Sequence, residues 1–128
     1  MEEAIQRENI INNYLEAYNK FDIERMVLDF HPNIKFENIA SGEINMTLNG
    51  IESFKEQAEK AATLFSSRTQ TARGYQHREH ETETGIDYHA VLAMDLPNGM
   101  KKGEELKMQG RSIFKFSGNK IIELTDIS

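Results

Sequence analysis

The chain contains no cysteine, which excludes disulfide frameworks, cysteine-ligated metal centres and thiol nucleophiles. No apolar stretch is long enough to span a bilayer. The segment from Met1 to Arg7 shows no basic region followed by an apolar run, so no signal peptide is expected. No segment concentrates Lys and Arg, and the formal net charge is −6. Nucleic acid and anionic membrane are therefore not expected as partners. Phosphate loops, nucleotide fingerprints and nucleophile elbows are missing as well, and no cofactor is expected. The lack of cysteine fits a reducing compartment, and the cytoplasm is the expected location.

What is present describes a globular chain. Hydrophobic residues make up 38% of its 128 residues and charged residues 28%. No repeat, linker or low-complexity segment interrupts it, so residues 1–128 are expected to form one domain.

The first helix is expected from Glu2 to Lys20, with Ile11, Tyr14, Leu15, Tyr18 and Phe21 on one stripe. A short second helix follows. Asp22 caps it, Phe21 and Met26 staple it, and Ile23, Met26, Val27 and Phe30 form its apolar side. Pro32 is expected to end it at His31. Ile34 to Ile39 and Ile44 to Leu48 alternate as a short hairpin around Ser41-Gly42. A third helix is expected from Ile51 to Phe65, with a capping box from Asn49 to Glu52 and a stripe of Phe54, Ala58, Ala61 and Phe65.

From Thr69 the period changes to two. Strands are expected at Thr69–Thr82, Asp87–Leu96, Glu105–Phe116 and Lys120–Ser128, joined by short turns as an antiparallel meander. Helices followed by such a sheet define the α+β class.

Gln76-His-Arg-Glu-His-Glu81 groups metal-ligand residue types, but His77 and His80 point to opposite faces of a strand. Zinc needs three or four convergent ligands, so no metal is expected. Arg68, Arg73 and Arg78 stand near Glu79, Glu81 and Glu83, and cross-strand ion pairs are expected for all of them.

This order of elements resembles the NTF2-like superfamily, above all its SnoaL-like and ketosteroid-isomerase-like members. The resemblance is carried by Tyr14-Leu-Glu-Ala-Tyr-Asn-Lys-Phe-Asp-Ile23, Ile34-Lys-Phe-Glu-Asn38 and Asn49-Gly-Ile-Glu-Ser-Phe54. Gly110-Arg-Ser-Ile-Phe-Lys-Phe116 and Asn119-Lys-Ile-Ile122 extend it. It implies a strongly bent, cone-shaped sheet wrapped around about three N-terminal helices, an α+β roll of the cystatin-like type. A small-molecule pocket would lie between helices and sheet.

The resemblance aligns Tyr14 with the isomerases' oxyanion-donating tyrosine, Asn38 with their proton-abstracting aspartate and Ser112 with their second acid. A carboxamide cannot act as that base, so steroid isomerisation is not expected. SnoaL-like cyclases use an inward aspartate near the end of the chain, and Asp126 aligns with it. The resemblance further implies that His89, Val91 and Ala93 face inward, as do Met108, Gly110, Ser112 and Phe114, and Leu124 and Asp126.

The implied catalytic set is Asp126 as proton acceptor, His89 as its partner or acid, and Tyr14 as donor to an enolate-like oxygen. Tyr18, Asn38, Phe54, Gln57, Val91, Met108, Ser112, Phe114 and Leu124 would contact the ligand, an apolar molecule of polyketide or steroid type. Arg111 is expected to face out, so the aspartate–arginine–aspartate set of epoxide hydrolases of this fold cannot be placed. The alternative is a non-catalytic ligand-binding or protein-association module. Tyr88, Ala90, Leu92, Met94 and Leu96 would then form an apolar outer strip, with Ile113 and Ile122, covered by a second copy in a homodimer.

Overall fold

The computed structural model describes residues 2–128. Helix α1 (Glu2–Asn19) buries Arg7, Ile11, Tyr14, Leu15 and Ala17 on one side, as its three-and-four spacing requires. Asp22 caps α2 (Ile23–Met26), where its carboxylate accepts the Arg25 amide at 3.2 Å. That helix is a single turn. The chain leaves it at Val27 and enters strand β1 (Phe30–Ala40), so Phe30 belongs to the sheet. Pro32 therefore stops no helix. It lies where β1 has no ladder partner on either side, a position that tolerates the missing amide.

Strand β2 (Glu43–Asn49) turns back along β1, and α3 (Ile51–Ala62) follows. The expected capping box does not form. Gly50 is the N-cap, with φ of 89°, a conformation that glycine adopts at little cost. Its amide donates to the Ile34 carbonyl at 2.8 Å, tying the helix start to β1. Four strands complete the chain: β3 (Phe65–His77), β4 (Glu81–Leu92), β5 (Glu105–Ser117) and β6 (Lys120–Ile127). The β3–β4 turn falls at residues 78–80, inside the stretch expected to be one long strand. Its carbonyls are held from below by Arg7, which is 6% exposed and donates to the Arg78, Glu79 and Glu81 oxygens.

The strands form one curved, six-stranded sheet in the order β2-β1-β6-β5-β4-β3. Neighbours pair antiparallel except β1 and β6, which run parallel and carry the closing strand back beside the first. The helices fill the concave face. Tyr14, Phe30, Phe54, Phe114 and Leu124 belong to the core there, with ring centroids 4.9–5.8 Å apart along Phe54, Phe30, Tyr14 and Phe114.

Strand β4 presents the face opposite to the one expected. Thr82, Thr84, Ile86, Ala90 and Leu92 are buried, while His89 and Val91 stand on the convex side. Tyr88, Ala90 and Leu92 thus point inward, and Met94 and Leu96 lie beyond the strand end. The apolar outer strip proposed to recruit a second copy does not exist on this strand. The convex face instead carries cross-strand pairs: Arg73–Asp87 at 2.8 Å, Arg111–Glu83 at 3.3 Å, His89–Glu105 at 2.7 Å and Lys115–Glu123 at 3.2 Å.

Gly110 sets the spacing between β5 and the end of β6. A Cβ there would meet the Ile127 carbonyl oxygen at 2.5 Å, and that backbone is pinned by the Ser128 amide donating to Ile39 at 2.9 Å. Gly110→Ala is expected to destabilise the protein by about 2 kcal/mol, measured as a lower urea midpoint at unchanged slope. Unaltered stability would show that the strand end yields freely.

Candidate functional site

A cavity of about 610 Å³ opens between the concave face, α1 and α3. Ligand sites for drug-sized molecules fall at roughly 300–1,000 Å³. Its walls are largely apolar: Met26, Phe36, Leu48, Phe54, Ala58, Ala61 and Ile86. Met108 stands at the rim, 49% exposed.

Eight of the expected site residues line this cavity: Tyr14, Tyr18, Asn38, Phe54, Gln57, Met108, Ser112 and Asp126. Phe114 and Leu124 face the same way but are fully buried in the core. His89 and Val91 do not reach it, because their strand faces the other way round. His89 is 43% exposed and its Nε2 lies 2.7 Å from Glu105 Oε1 on the convex face. It cannot serve as partner to Asp126.

Asp126 occupies the middle of the sheet. Parallel pairing sets it beside Asn38, and antiparallel pairing sets it opposite Ser112. The Ser112 hydroxyl donates to Asp126 Oδ1 at 2.7 Å. Burial of the carboxyl raises its pKa from 3.8 to about 6, and the serine hydrogen bond offsets part of that rise. Protein surrounds the carboxyl, yet part of its surface faces the cavity. Asn38 is turned along the sheet and donates to Asn45 Oδ1 at 2.9 Å.

Tyr14 is 5% exposed, stacks on Phe30 and meets Phe114 edge-on. Burial raises its pKa well above 10, and the nearby Asp126 charge adds to this, so the phenol stays a proton donor near neutral pH. Among the described residues no hydrogen bond joins Tyr14 to Asp126. Burial likewise raises Tyr18 and Tyr88, whose hydroxyls meet at 3.0 Å.

Among the lining residues that the sequence did not mark are three polar ones: Arg68, Gln70 and Tyr88. Of the arginines expected to form cross-strand ion pairs, Arg73 and Arg78 do so, Arg78 with Glu81 and Glu83. Arg68 does not; it is 3% exposed and points inward. The metal-type residues also disperse. His77 bonds Glu8 and Thr82, and His80 sits in the turn. No helix among the described residues is long and apolar enough to cross a membrane.

No family model and no curated protein matches the chain. Solved structures do. A proposed polyketide cyclase from Acidithiobacillus ferrooxidans is 18% identical, with a TM-score of 0.80 over 95% of this chain and 87% of that one. A proposed SnoaL-like polyketide cyclase from Jannaschia sp. CCS1 is 10% identical, with a TM-score of 0.80 over 95% and 84%. TerC, co-crystallised with polyporic acid, is 14% identical, with a TM-score of 0.77 over 95% and 90%. The chain therefore has the fold of the NTF2-like, SnoaL-like and ketosteroid-isomerase-like proteins. Fold alone does not fix the reaction.

Proposed function

We propose that the protein binds an apolar small molecule in this cavity and removes a proton from it with Asp126. The observation that carries the reading is a carboxyl with a pKa of about 6, facing a cavity with mainly apolar walls. Such a group is half ionised near pH 6 and is a stronger base than a free aspartate. The Tyr14 phenol, kept protonated by burial, is the donor for an oxygen that gains charge. The co-crystallisation of TerC with polyporic acid supports small-molecule uptake by this fold. Isomerisation by an Asn38 base stays excluded, since a carboxamide does not titrate.

A generic carbon acid tests the reading without knowledge of the natural substrate. With 5-nitrobenzisoxazole, Asp126 would accept the C3 proton while the N–O bond breaks, giving a nitrile and a coloured phenolate. The rate is expected to rise with pH through a single inflection at about 6 and then level off. A rate that merely follows hydroxide, with no inflection, would sink the proposal.

A pocket that binds without reaction is the second reading, favoured by the position of His89 outside the cavity and the lack of a Tyr14–Asp126 hydrogen bond. A homodimer through the convex face would find no apolar strip on β4, and ion pairs lace that face.

A further inference from the structure

The least explained group in the molecule is Arg68. Its guanidinium lies 3.7 Å from the Tyr18 ring centroid and 4.4 Å from that of Phe21. Nε donates to the Tyr18 carbonyl at 2.8 Å, which ties β3 to the end of α1. These contacts account for the rings and for Nε. They leave Nη2 buried and without a hydrogen-bond partner, and no carboxylate pairs with Arg68 among the described residues. A guanidinium keeps its charge throughout the range in which proteins fold. A buried cation without a counter-charge is costly, and two aromatic faces return only a part of that cost.

The backbone is bent to hold it there. Phe21 follows α1 with φ of 58°, in the left-handed region where glycine or asparagine is the usual choice. A phenylalanine there is strained, and its ring covers the guanidinium. Packed between two rings and bonded through Nε, Arg68 cannot swing to the surface for a partner.

Next to it stand two hydroxyls. Tyr18 and Tyr88 share one hydrogen bond, so one of the two protons remains free to be donated. Burial keeps both phenols neutral. The cavity thus has a fixed cation and a neutral donor at one end, and Asp126 elsewhere. The ladder separates the two ends. Arg68 pairs with Ala90, whereas Asp126 pairs with Ser112, which pairs with Thr84. Thr84 and Ala90 are six residues apart on β4, but the side chains lean together across the cavity, close enough for Tyr18 to feel the Asp126 charge.

We infer that Arg68, with Tyr18 and Tyr88, is a receptor for a carboxylate of the ligand, at the end of the cavity under β3. This inference rests on the proposed use of the same cavity and adds the chemical class of its ligand: an apolar acid with one negative charge. One cation and one free hydroxyl match a monoanion; a phosphate dianion would leave a charge unmatched. The carboxylate is a handle that positions the reacting carbon and takes no part in the proton transfer.

The test uses 2-naphthoate and its neutral isostere 2-naphthamide as probes, by titration calorimetry on the whole protein at pH 7.5 and moderate salt. The wild type is expected to bind naphthoate about 10- to 100-fold more tightly than naphthamide, the range of one charge-assisted contact. Arg68→Met is expected to abolish that preference. Equal binding of both probes by the wild type would overturn the inference, and so would a preference that survives in Arg68→Met. If that variant does not fold, the wild type still decides: naphthoate, and not naphthamide, must shift the Arg68 Nε–H resonance. Affinity here is independent of turnover. A naphthoate preference without benzisoxazole turnover would defeat the proton-transfer reading alone, and turnover without the preference would defeat the anion site alone.

Discussion

Asp126→Asn is expected to lower the rate of benzisoxazole opening by about 10²- to 10⁴-fold, the usual contribution of a positioned general base. The substitution keeps the shape of the side chain and still offers an oxygen to the Ser112 hydroxyl, which now donates at 2.7 Å. Circular dichroism should therefore be unchanged, and the loss can be read as loss of the titrating group. Ser112→Ala provides a second handle with a defined sign. The serine hydrogen bond lowers the Asp126 pKa, against the larger effect of burial. Removing it must move the inflection of the pH–rate profile upward, and it must leave a plateau at high pH. A profile that stays in place would mean that the two side chains do not meet in solution. If Asp126→Asn retains the full rate, the base is elsewhere, and the binding-only reading takes precedence.

Most of the frame was legible because its periodicities are strong. The stripe of α1 and the alternation of β5 and β6 assign Tyr14, Met108, Ser112 and Asp126 to the concave side, and there they lie. Strand β4 was misread by one residue, and a slip of one exchanges the faces of every side chain. The strand's own pattern carried the right answer. Tyr88, Ala90 and Leu92 alternate with Asp87 and His89, and apolar residues of a half-covered sheet face the helices. Fixing the phase by resemblance overrode that local signal.

Arg68 was hidden for a different reason. Ser66-Ser-Arg-Thr-Gln-Thr71 contains no apolar residue to mark an inward face, so the charge reads as solvated. What draws it inward is tertiary: the Tyr18 and Phe21 rings and a helix-end carbonyl, brought together only when α1 packs across β3. The expectation of ion pairs from neighbouring acids and bases holds for Arg78, which meets Glu81 and Glu83, because those partners are local in the hairpin.

The second large effect concerns stability, and it runs against activity. A carboxyl with its pKa raised on folding binds its proton more tightly in the native state than in the unfolded one. Below about pH 3.8 both states are protonated and Asp126 exacts no penalty. As the pH rises from 3.8 through about 6 the unfolded state ionises first, and stability falls. Above that window the penalty is constant, at roughly 3 kcal/mol for the full gap. An amide has no such penalty. Asp126→Asn is therefore expected to be more stable than the wild type by as much as about 3 kcal/mol at pH 8, with the advantage shrinking toward zero near pH 3.5. Urea unfolding of both proteins across this range isolates the effect, because every other titrating group is common to the pair. A difference that does not vary with pH would mean that Asp126 is as well solvated in the folded protein as in the unfolded chain. A difference that grows with pH would identify the burial of this carboxyl as strain that the fold carries at its site, the usual signature of a group kept for function over stability.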